Sequence, residues 1–156
     1  MIKRIIGPEA KNLSGNEHWL NLDDLVQVEV TSEDGAHPIE SGLLAKSESG
    51  WRAGQSGPQT VRLIFDRPQK IKRVHLEFHE QESVRTQEFL LRWSSDGGRS
   101  YREIVRQQYN FSPPNTTEER EDYPVDLDGV TNFELNIVPD ISGGPARASF
   151  ARLRIA

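Results

Sequence analysis

Two groups of side chains in the sequence combine an aromatic ring with donors that suit hydroxyl-rich ligands. In the first group, Arg52 follows a tryptophan, and its guanidinium presents five donors in a fixed fork that fits hydroxyls and carboxylates. In the second group, Tyr109 stands among amide and charged residues, so a sugar ring could stack on its aromatic face while its hydroxyls are hydrogen-bonded. The candidate ligand-binding residues are His37, Glu40, Arg52, Arg106, Gln108, Tyr109 and Asn110.

Several of these candidates also have a structural interpretation. Burial tendency favours a core position for Trp51. Its neighbour Arg52 could form a structural ion pair instead of contacting a ligand. Tyr109 could pack at the end of a β-sandwich, His37 could pack in a turn before a proline, and Glu40 could cap a short turn. The sequence leaves both interpretations open for each residue.

Catalytic motifs are missing from the sequence. The chain has no Cys, which excludes a disulfide, a thiolate metal site and a cysteine nucleophile. It also has no Gly-x-Ser-x-Gly elbow, no Walker-type loop and no His-Glu-x-x-His pair. We therefore predict that the chain is not an enzyme and uses no cofactor.

A metal site is one interpretation of His75, Glu77 and His79, which alternate along a predicted strand. Side chains two residues apart on one face lie about 6.6 Å from each other, so a shared metal would need a further ligand from an adjacent strand. The same alternation is explained by a solvated outer face opposite an apolar one, and we favour that interpretation.

Length and charge narrow the possible partners. The chain has 156 residues, which favours one domain, and we interpret residues 1–24 as an extension that packs on it. The net charge of −5 disfavours nucleic acid as a partner.

No apolar run approaches the roughly 18 residues that span a bilayer, so no membrane partner is expected. The N-terminus lacks the apolar segment of a signal peptide, so we expect a cytoplasmic location.

Alternation of apolar and polar residues predicts strands almost throughout the chain. The predicted strands are Val26–Val30, 61–65, 71–79, 87–94, 101–107, 123–127, 133–137 and 150–155. Turns are predicted at 66–69, 95–98 and 128–129, and long loops at 32–50 and 108–122. The second loop contains an acidic run, 118–122, that we interpret as solvated. About eight strands at this spacing predict an all-β fold, an antiparallel jelly-roll β-sandwich.

The order of these features resembles the galactose-binding-domain-like superfamily, which includes the discoidin and coagulation-factor type C (F5/8 type C) domains. The resemblance covers about residues 25–156 and rests on Val28-Glu29-Val30-Thr31-Ser32, Gly50-Trp51-Arg52-Ala53-Gly54 and the strand before Ser95-Asp96-Gly97-Gly98. It implies a non-catalytic jelly roll that binds its ligand through loops at one end. Many sugar-binding members hold a structural Ca²⁺ partly through a Glu on the last strand; here Arg152 matches that position, which puts calcium in doubt.

A shorter segment, residues 28–65, is similar to the N-terminal domain of the eukaryotic single-strand-break repair scaffold protein. The similarity rests on Ser32-Glu33-Asp34, His37, Glu40 and Trp51-Arg52-Ala53. It implies an intracellular protein–protein interaction domain, with nucleic-acid binding as a further possibility. Our first prediction is a carbohydrate-binding module, and a protein-interaction domain is the alternative.

Overall fold

The computed structural model of the chain describes residues 19–44 and 49–156. Within these ranges it contains two one-turn helices and eight strands. The helices are Leu22–Leu25 (α1) and Glu40–Leu43 (α2). The strands are Val26–Val30 (β1), Trp51–Arg52 (β2), Gln59–His79 (β3), Arg85–Ser94 (β4), Arg102–Phe111 (β5), Glu118–Val138 (β6), Ser149–Phe150 (β7) and Arg152–Ile155 (β8).

Two long antiparallel strands, β3 and β6, take part in both layers of the fold. The first part of β3 and the last part of β6 belong to a layer with the strand order β1-β3-β6-β4-β5. The second part of β3 pairs with β8 and with the first part of β6. The ring of Phe78 in this second layer lies 5.3 Å from the ring of Phe89 in β4, so the layers pack face to face. The predicted antiparallel β-sandwich is therefore confirmed.

The bend between the layers lies where the sequence predicts turns, at 66–69 and 128–129. Both strands continue through it, and only their register shifts, between Ile64 and Arg73 of β3. Gly129 takes a left-handed φ of 67° there, which a glycine adopts without steric cost. Because β3 and β6 bend together, Gln69 still pairs with Val130 across the bend. The prediction that turns interrupt these strands was wrong.

The predicted loop over 108–122 is much shorter in the structure. Strand β5 continues to Phe111, which pairs with Arg85, and β6 begins at Glu118, which pairs with His79. The acidic run is therefore strand rather than solvated loop. Two of its charged residues gain partners of opposite charge across the ladder: Asp122 lies 2.6 Å from the guanidinium of Arg73, and Arg120 lies 3.9 Å from Glu77. Opposite charges on neighbouring strands stabilise such a segment despite its low apolar content.

The core fills the space between the layers with alternate residues of each strand. Leu63 on the first part of β3 and Leu76 on its second part are both fully buried, as the alternation predicts. Trp51 is 1% exposed, which confirms its predicted core position. Complete burial of an aliphatic or aromatic side chain contributes about 1.5–3 kcal/mol each. None of the helices in the described ranges is long and apolar enough to cross a bilayer.

The N-terminal extension is described only from residue 19 onward. There it packs on the sandwich: the backbone N–H of Leu20 donates to the carbonyl of Ile155 at 2.7 Å, and Leu22 is buried. The rest of the predicted extension, residues 1–18, lies outside the described residues.

One end of the sandwich collects four connections, and we call it the loop end. The connections are 31–58 (described over 31–44 and 49–58), 80–84, 112–117 and 139–148, together with the short strand β2 within the first. They meet there because β3 ends, β4 begins and β6 begins at the same edge of the ladder. The predicted hairpin at 95–98 lies at the opposite end, where Gly97 and Gly98 have φ of 76° and 88°.

Candidate ligand-binding groove

Two adjoining cavities of about 480 and 350 Å³ open at the loop end. They share Arg52, His79 and Ser149, and we call them together the groove. The first cavity is lined further by residues 80–85 and 145–147 and by Asp140. The second cavity is lined further by His37, Ser49, Trp51, Glu77, Arg120, Phe150, Ala151 and Arg152.

Arg52 is held at the centre of the groove by its buried neighbour in the chain. Trp51 pairs with Phe150 in the β2–β7 ladder, and its indole N–H donates to the carbonyl of Ser32 at 3.1 Å. Successive side chains of a strand point to opposite faces, so burial of Trp51 presents Arg52 to solvent beside its partner Ser149. The aromatic residue is thus an anchor, and the guanidinium is the group offered to a ligand.

His37 stands beside Arg52 because the loop after β1 is hydrogen-bonded to β2. The N–H of Arg52 donates to the carbonyl of His37 at 3.1 Å, and the N–H of Asp34 donates to the carbonyl of Arg52 at 2.8 Å. The imidazole Nδ1 of His37 lies 3.6 Å from a carboxylate oxygen of Asp34. A hydrogen bond from the N–H of Ala36, and then the nearby His37, lower the pKa of Asp34. The structure therefore brings two of the predicted site residues together.

A row of three charged residues lies in the second cavity, one from each strand of the second layer. Glu77 of β3 has Arg120 of β6 on one side at 3.9 Å and Arg152 of β8 on the other at 4.0 Å. Its carboxylate also lies 2.7 Å from Nε2 of His75. Burial opposes ionisation of Glu77, but the hydrogen bond with His75 and the two guanidinium groups hold its pKa below the usual value. The row is therefore a charged network rather than a simply solvated face.

Glu77, His79 and Glu118 could hold a metal ion, because their ligand atoms all lie within 4.8 Å of one another. A metal shared by residues of this strand needs a further ligand from an adjacent strand, and Glu118 on β6 is in that position. A carboxylate–imidazole set suits a divalent transition metal. Arg120, however, is paired with Glu118 and lies 3.9 Å from Glu77, so a metal would have to displace a guanidinium from both carboxylates.

Comparison with known proteins identifies the fold. No family model matches the sequence, and no curated protein matches it. Solved structures do match, and one is the CBM32 of AlyQ in complex with 4,5-unsaturated mannuronic acid (TM-score 0.61, 19% identity, 85% of this chain and 95% of that one). The chain has the fold of CBM32 carbohydrate-binding modules. Its galactose-binding-like architecture, predicted from the resemblance, is thereby confirmed.

Two further structures of carbohydrate-binding modules match over similar lengths. A pectin-binding carbohydrate-binding module has a TM-score of 0.59 and 19% identity, and covers 85% of this chain and 90% of that one. The family 32 module of C. perfringens NanJ, in complex with galactose, has a TM-score of 0.59 and 14% identity, and covers 88% of this chain and 96% of that one. At these identities the CBM32-like fold is shared, and the groove must be interpreted from its own residues.

Glu40 lies apart from the groove. It begins α2 and lines a separate cavity of about 160 Å³ with Leu22, Asp23 and Val26. Its side chain does not cap the helix, whose N-cap position is Ile39. Glu40 therefore shares the first long loop with His37 without sharing its cavity.

The remaining predicted site residues lie on β5, outside the groove linings. Arg106 lies 3.7 Å from Glu88, and Gln108 contacts the same carboxylate at 3.5 Å. The hydroxyl of Tyr109 donates to the carbonyl of Glu118 at 2.8 Å. Asn110 accepts a hydrogen bond from the hydroxyl of Thr86 at 2.7 Å. Apart from Glu40, the candidates thus fall into a groove set and a β5 set. In the β5 set, Tyr109 lies beside Phe111, with ring centroids 5.0 Å apart.

Sequence reasoning did not single out, as ligand contacts, the three further exposed arginines that line the groove: Arg120, Arg147 and Arg152. Arg147 follows the Gly143-Gly144-Pro145 segment, and loops of that composition often carry binding residues. Arg120 lay within the acidic run interpreted as solvated, and Arg152 was considered only as a calcium position. Only the strand register, which places both beside Glu77, reveals their common location.

Proposed function

We propose that this chain is a non-catalytic carbohydrate-binding module whose ligand sits in the groove, with Arg52 and His37 as its central contacts. The observation that carries the proposal is the exposed guanidinium of Arg52, fixed by buried Trp51 and placed beside His37 in a concave site. Guanidinium and imidazole N–H groups donate to sugar hydroxyls, and the hydroxyl of Ser149 can donate or accept.

The chemistry of the groove supports hydrogen bonding rather than ring stacking. The two aromatic residues among its linings, Trp51 and Phe150, are each 1% exposed and pack against each other. The donors therefore have to provide most of the orientation and specificity. Each hydrogen bond to a charged donor is worth about 1.5–3 kcal/mol when formed in exchange for water, so a few such contacts suffice for weak binding.

The structural neighbours support a sugar ligand for this fold. One neighbour was solved with 4,5-unsaturated mannuronic acid, another was solved with galactose, and a third is described as binding pectin. These ligands differ in chemistry, so the fold alone does not select the sugar. A further neighbour is a module of a family 31 glycoside hydrolase, which is compatible with a binding domain that accompanies enzymes.

Glycan-array screening followed by calorimetry with the sugars that bind tests the proposal. We expect Arg52→Ala to reduce affinity at least tenfold, because it removes the central charged donor of the groove. Arg106→Ala is the matched control, since Arg106 is also exposed but belongs to the β5 set. If Arg106→Ala loses sugar binding while Arg52→Ala keeps the wild-type affinity, the binding site is on β5 and not in the groove. Failure to bind any glycan would refute carbohydrate binding itself.

A further inference from the structure

Positive charge exceeds negative charge in the second cavity. Arg52, Arg120 and Arg152 line it, whereas Glu77 is its one acidic lining residue. The first cavity is more evenly charged, because it adds Arg85 and Arg147 but also Glu80, Glu82 and Asp140, so the excess of positive charge belongs to the second cavity. This contrasts with the whole chain, in which 24 acidic residues outnumber 19 basic ones and the net charge is −5.

The single carboxylate of the second cavity is already engaged. One oxygen of Glu77 lies 2.7 Å from Nε2 of His75, and the side chain is largely buried. The nearest guanidinium nitrogens, those of Arg120 and Arg152, lie only at 3.9 and 4.0 Å, beyond hydrogen-bond distance. Glu77 therefore gives partial charge compensation to two arginines without occupying the donors of either one.

Three arginines of the groove, Arg52, Arg147 and Arg152, differ from the arginines that are held by close ion pairs. Arg62, Arg85 and Arg92 each place a guanidinium nitrogen 2.6 to 2.7 Å from a carboxylate oxygen. Within residues 19–44 and 49–156, Arg52 and Arg147 have no ion pair, and the one ion pair of Arg152 is the 4.0 Å contact with Glu77. The donors of Arg52 and Arg152 are thus available in the lining of one cavity.

We propose that the groove binds an acidic glycan, a chain containing uronic acid residues, and that Arg52 and Arg152 receive a sugar carboxylate. This inference rests on the proposed carbohydrate-binding function and narrows its ligand class. A guanidinium fork matches the two oxygens of a carboxylate, which makes arginine well suited to this anion. His37 and Ser149, on the same cavity wall as Arg52, then contact the hydroxyls of the ring.

The excess of guanidinium groups also favours direct binding over binding through a metal ion. A divalent ion at Glu77, His79 and Glu118 would add two positive charges beside Arg120 and Arg152. A carboxylate ligand instead neutralises part of the positive charge of these guanidinium groups. Affinity for an acidic glycan should therefore be unchanged by a chelator and should fall as salt screens the attraction.

The test compares oligogalacturonides with their methyl esters, which share the ring and linkages but lack the charge; mannuronate and glucuronate oligomers are measured alongside. Calorimetry in low salt with EDTA should show at least tenfold tighter binding of an acidic oligomer than of its ester. Arg152→Gln should abolish that preference, and Arg152→Lys should retain part of it. Arg99→Gln, in the hairpin at the opposite end, is the control. Each variant is first checked for an unchanged unfolding midpoint.

Each remaining outcome has a definite meaning. Equal affinity for acid and ester overturns the acidic-glycan inference and leaves carbohydrate binding intact. Neutral sugars that bind while all three uronate oligomers fail overturn it in the same way. A preference for acid that survives both Arg152→Gln and Arg52→Gln would remove these two residues as the carboxylate site. If neither neutral nor acidic sugars bind, the proposed function fails as well.

Discussion

Trp51 and Phe150 pack with ring centroids 5.3 Å apart, and this contact joins two segments that are far apart in sequence. The two residues also pair in the β2–β7 ladder, where Arg52 and Ser149 are the next pair. The position of the exposed guanidinium in the groove therefore depends on an aromatic contact in the core.

Truncation of Trp51 should destabilise the domain and disturb the groove together. Trp51→Ala removes a ring that is 1% exposed and deletes the hydrogen bond to the carbonyl of Ser32. We expect the free energy of unfolding to fall by about 3–5 kcal/mol, measured by urea denaturation. Val84→Ala is the control, because Val84 is 74% exposed and should change stability little. A loss below about 1 kcal/mol would contradict the anchoring role of Trp51.

Gly42 has no room for a side chain, although it sits in a short helix rather than a special turn. A Cβ atom at this position would lie 2.5 Å from Cε1 of Phe150. We expect Gly42→Ala to lower the free energy of unfolding by about 1–3 kcal/mol through overpacking. Gly35→Ala is the matched control, since nothing lies within 4 Å of its Cβ position. Equal thermal midpoints for the two variants would contradict the close packing of α2 on β7.

Glu119 should make the domain less stable as the pH rises through the neutral range. Burial, and then the adjacent Glu121, raise the pKa of Glu119 to about 8. The folded protein therefore retains a proton that the unfolded chain releases near its ordinary pKa, so stability falls between those two values by roughly 1 kcal/mol per pH unit.

The variant Glu119→Gln, which cannot ionise, should have a flatter stability profile and should exceed the wild type in stability at pH 8. Urea denaturation at pH 5 and pH 8 measures the difference. Glu103→Gln is the control, because the Glu103 side chain is 56% exposed. Parallel pH profiles for the wild type and Glu119→Gln would show that Glu119 ionises normally.

Glu134 should have the opposite pH dependence. Its side chain is 1% exposed and lies between Arg62 at 2.9 Å and Arg92 at 2.6 Å. Burial opposes ionisation, but hydrogen bonds from Asn136 and the two arginines hold the pKa of Glu134 below its usual value. The stabilisation is therefore present above the unfolded-state pKa and is lost as the pH falls through the lower folded-state value.

The variant Glu134→Gln should lower the free energy of unfolding at pH 7 by about 2 kcal/mol, because it leaves two guanidinium groups without their shared anion. The effect is smaller than for a fully buried pair, since both arginines are about one-third exposed and partly screened by water. Chemical denaturation at pH 7 and at pH 3 should show that the difference from the wild type shrinks at the lower pH. An undiminished difference at pH 3 would contradict ionisation of Glu134 in the folded state.

Alternation of apolar and polar residues was sufficient to predict most strands of the sandwich. Where this prediction failed, the strand residues are unusually charged or resemble those of a turn. The apolar faces of the strands, such as the one containing Leu63, repeat every second residue and lie in the core. Residues 118–122 carry too much charge to be recognised as strand, because Arg120 and Asp122 are held by cross-strand charge pairs rather than by apolar burial. The bend at 66–69 has turn-like residues, but its hydrogen bonding continues through a partner strand that bends with it.

The groove was predictable only in part for a related reason. His37 and Arg52 lie on one connection, so a single segment of sequence brings both to attention. Arg120 and Arg152 reach the same cavity from β6 and β8, and their proximity is set by pairing with Glu77 of β3. Register between strands that are distant in sequence is not encoded in the period of any one of them. The β5 residues were grouped with the groove because residues 108–110 were assigned to a loop.

The sharing of β3 and β6 between both layers has a consequence for how the chain acquires its structure. Neither layer can be completed before the other, because β3 and β6 each supply a strand to both. Pairs such as Gln59 with Ile137 close long stretches of chain before any contact compensates for the lost entropy. We therefore expect slow, all-or-none folding on the millisecond-to-second scale of β-sandwiches, without a stable half-formed sandwich.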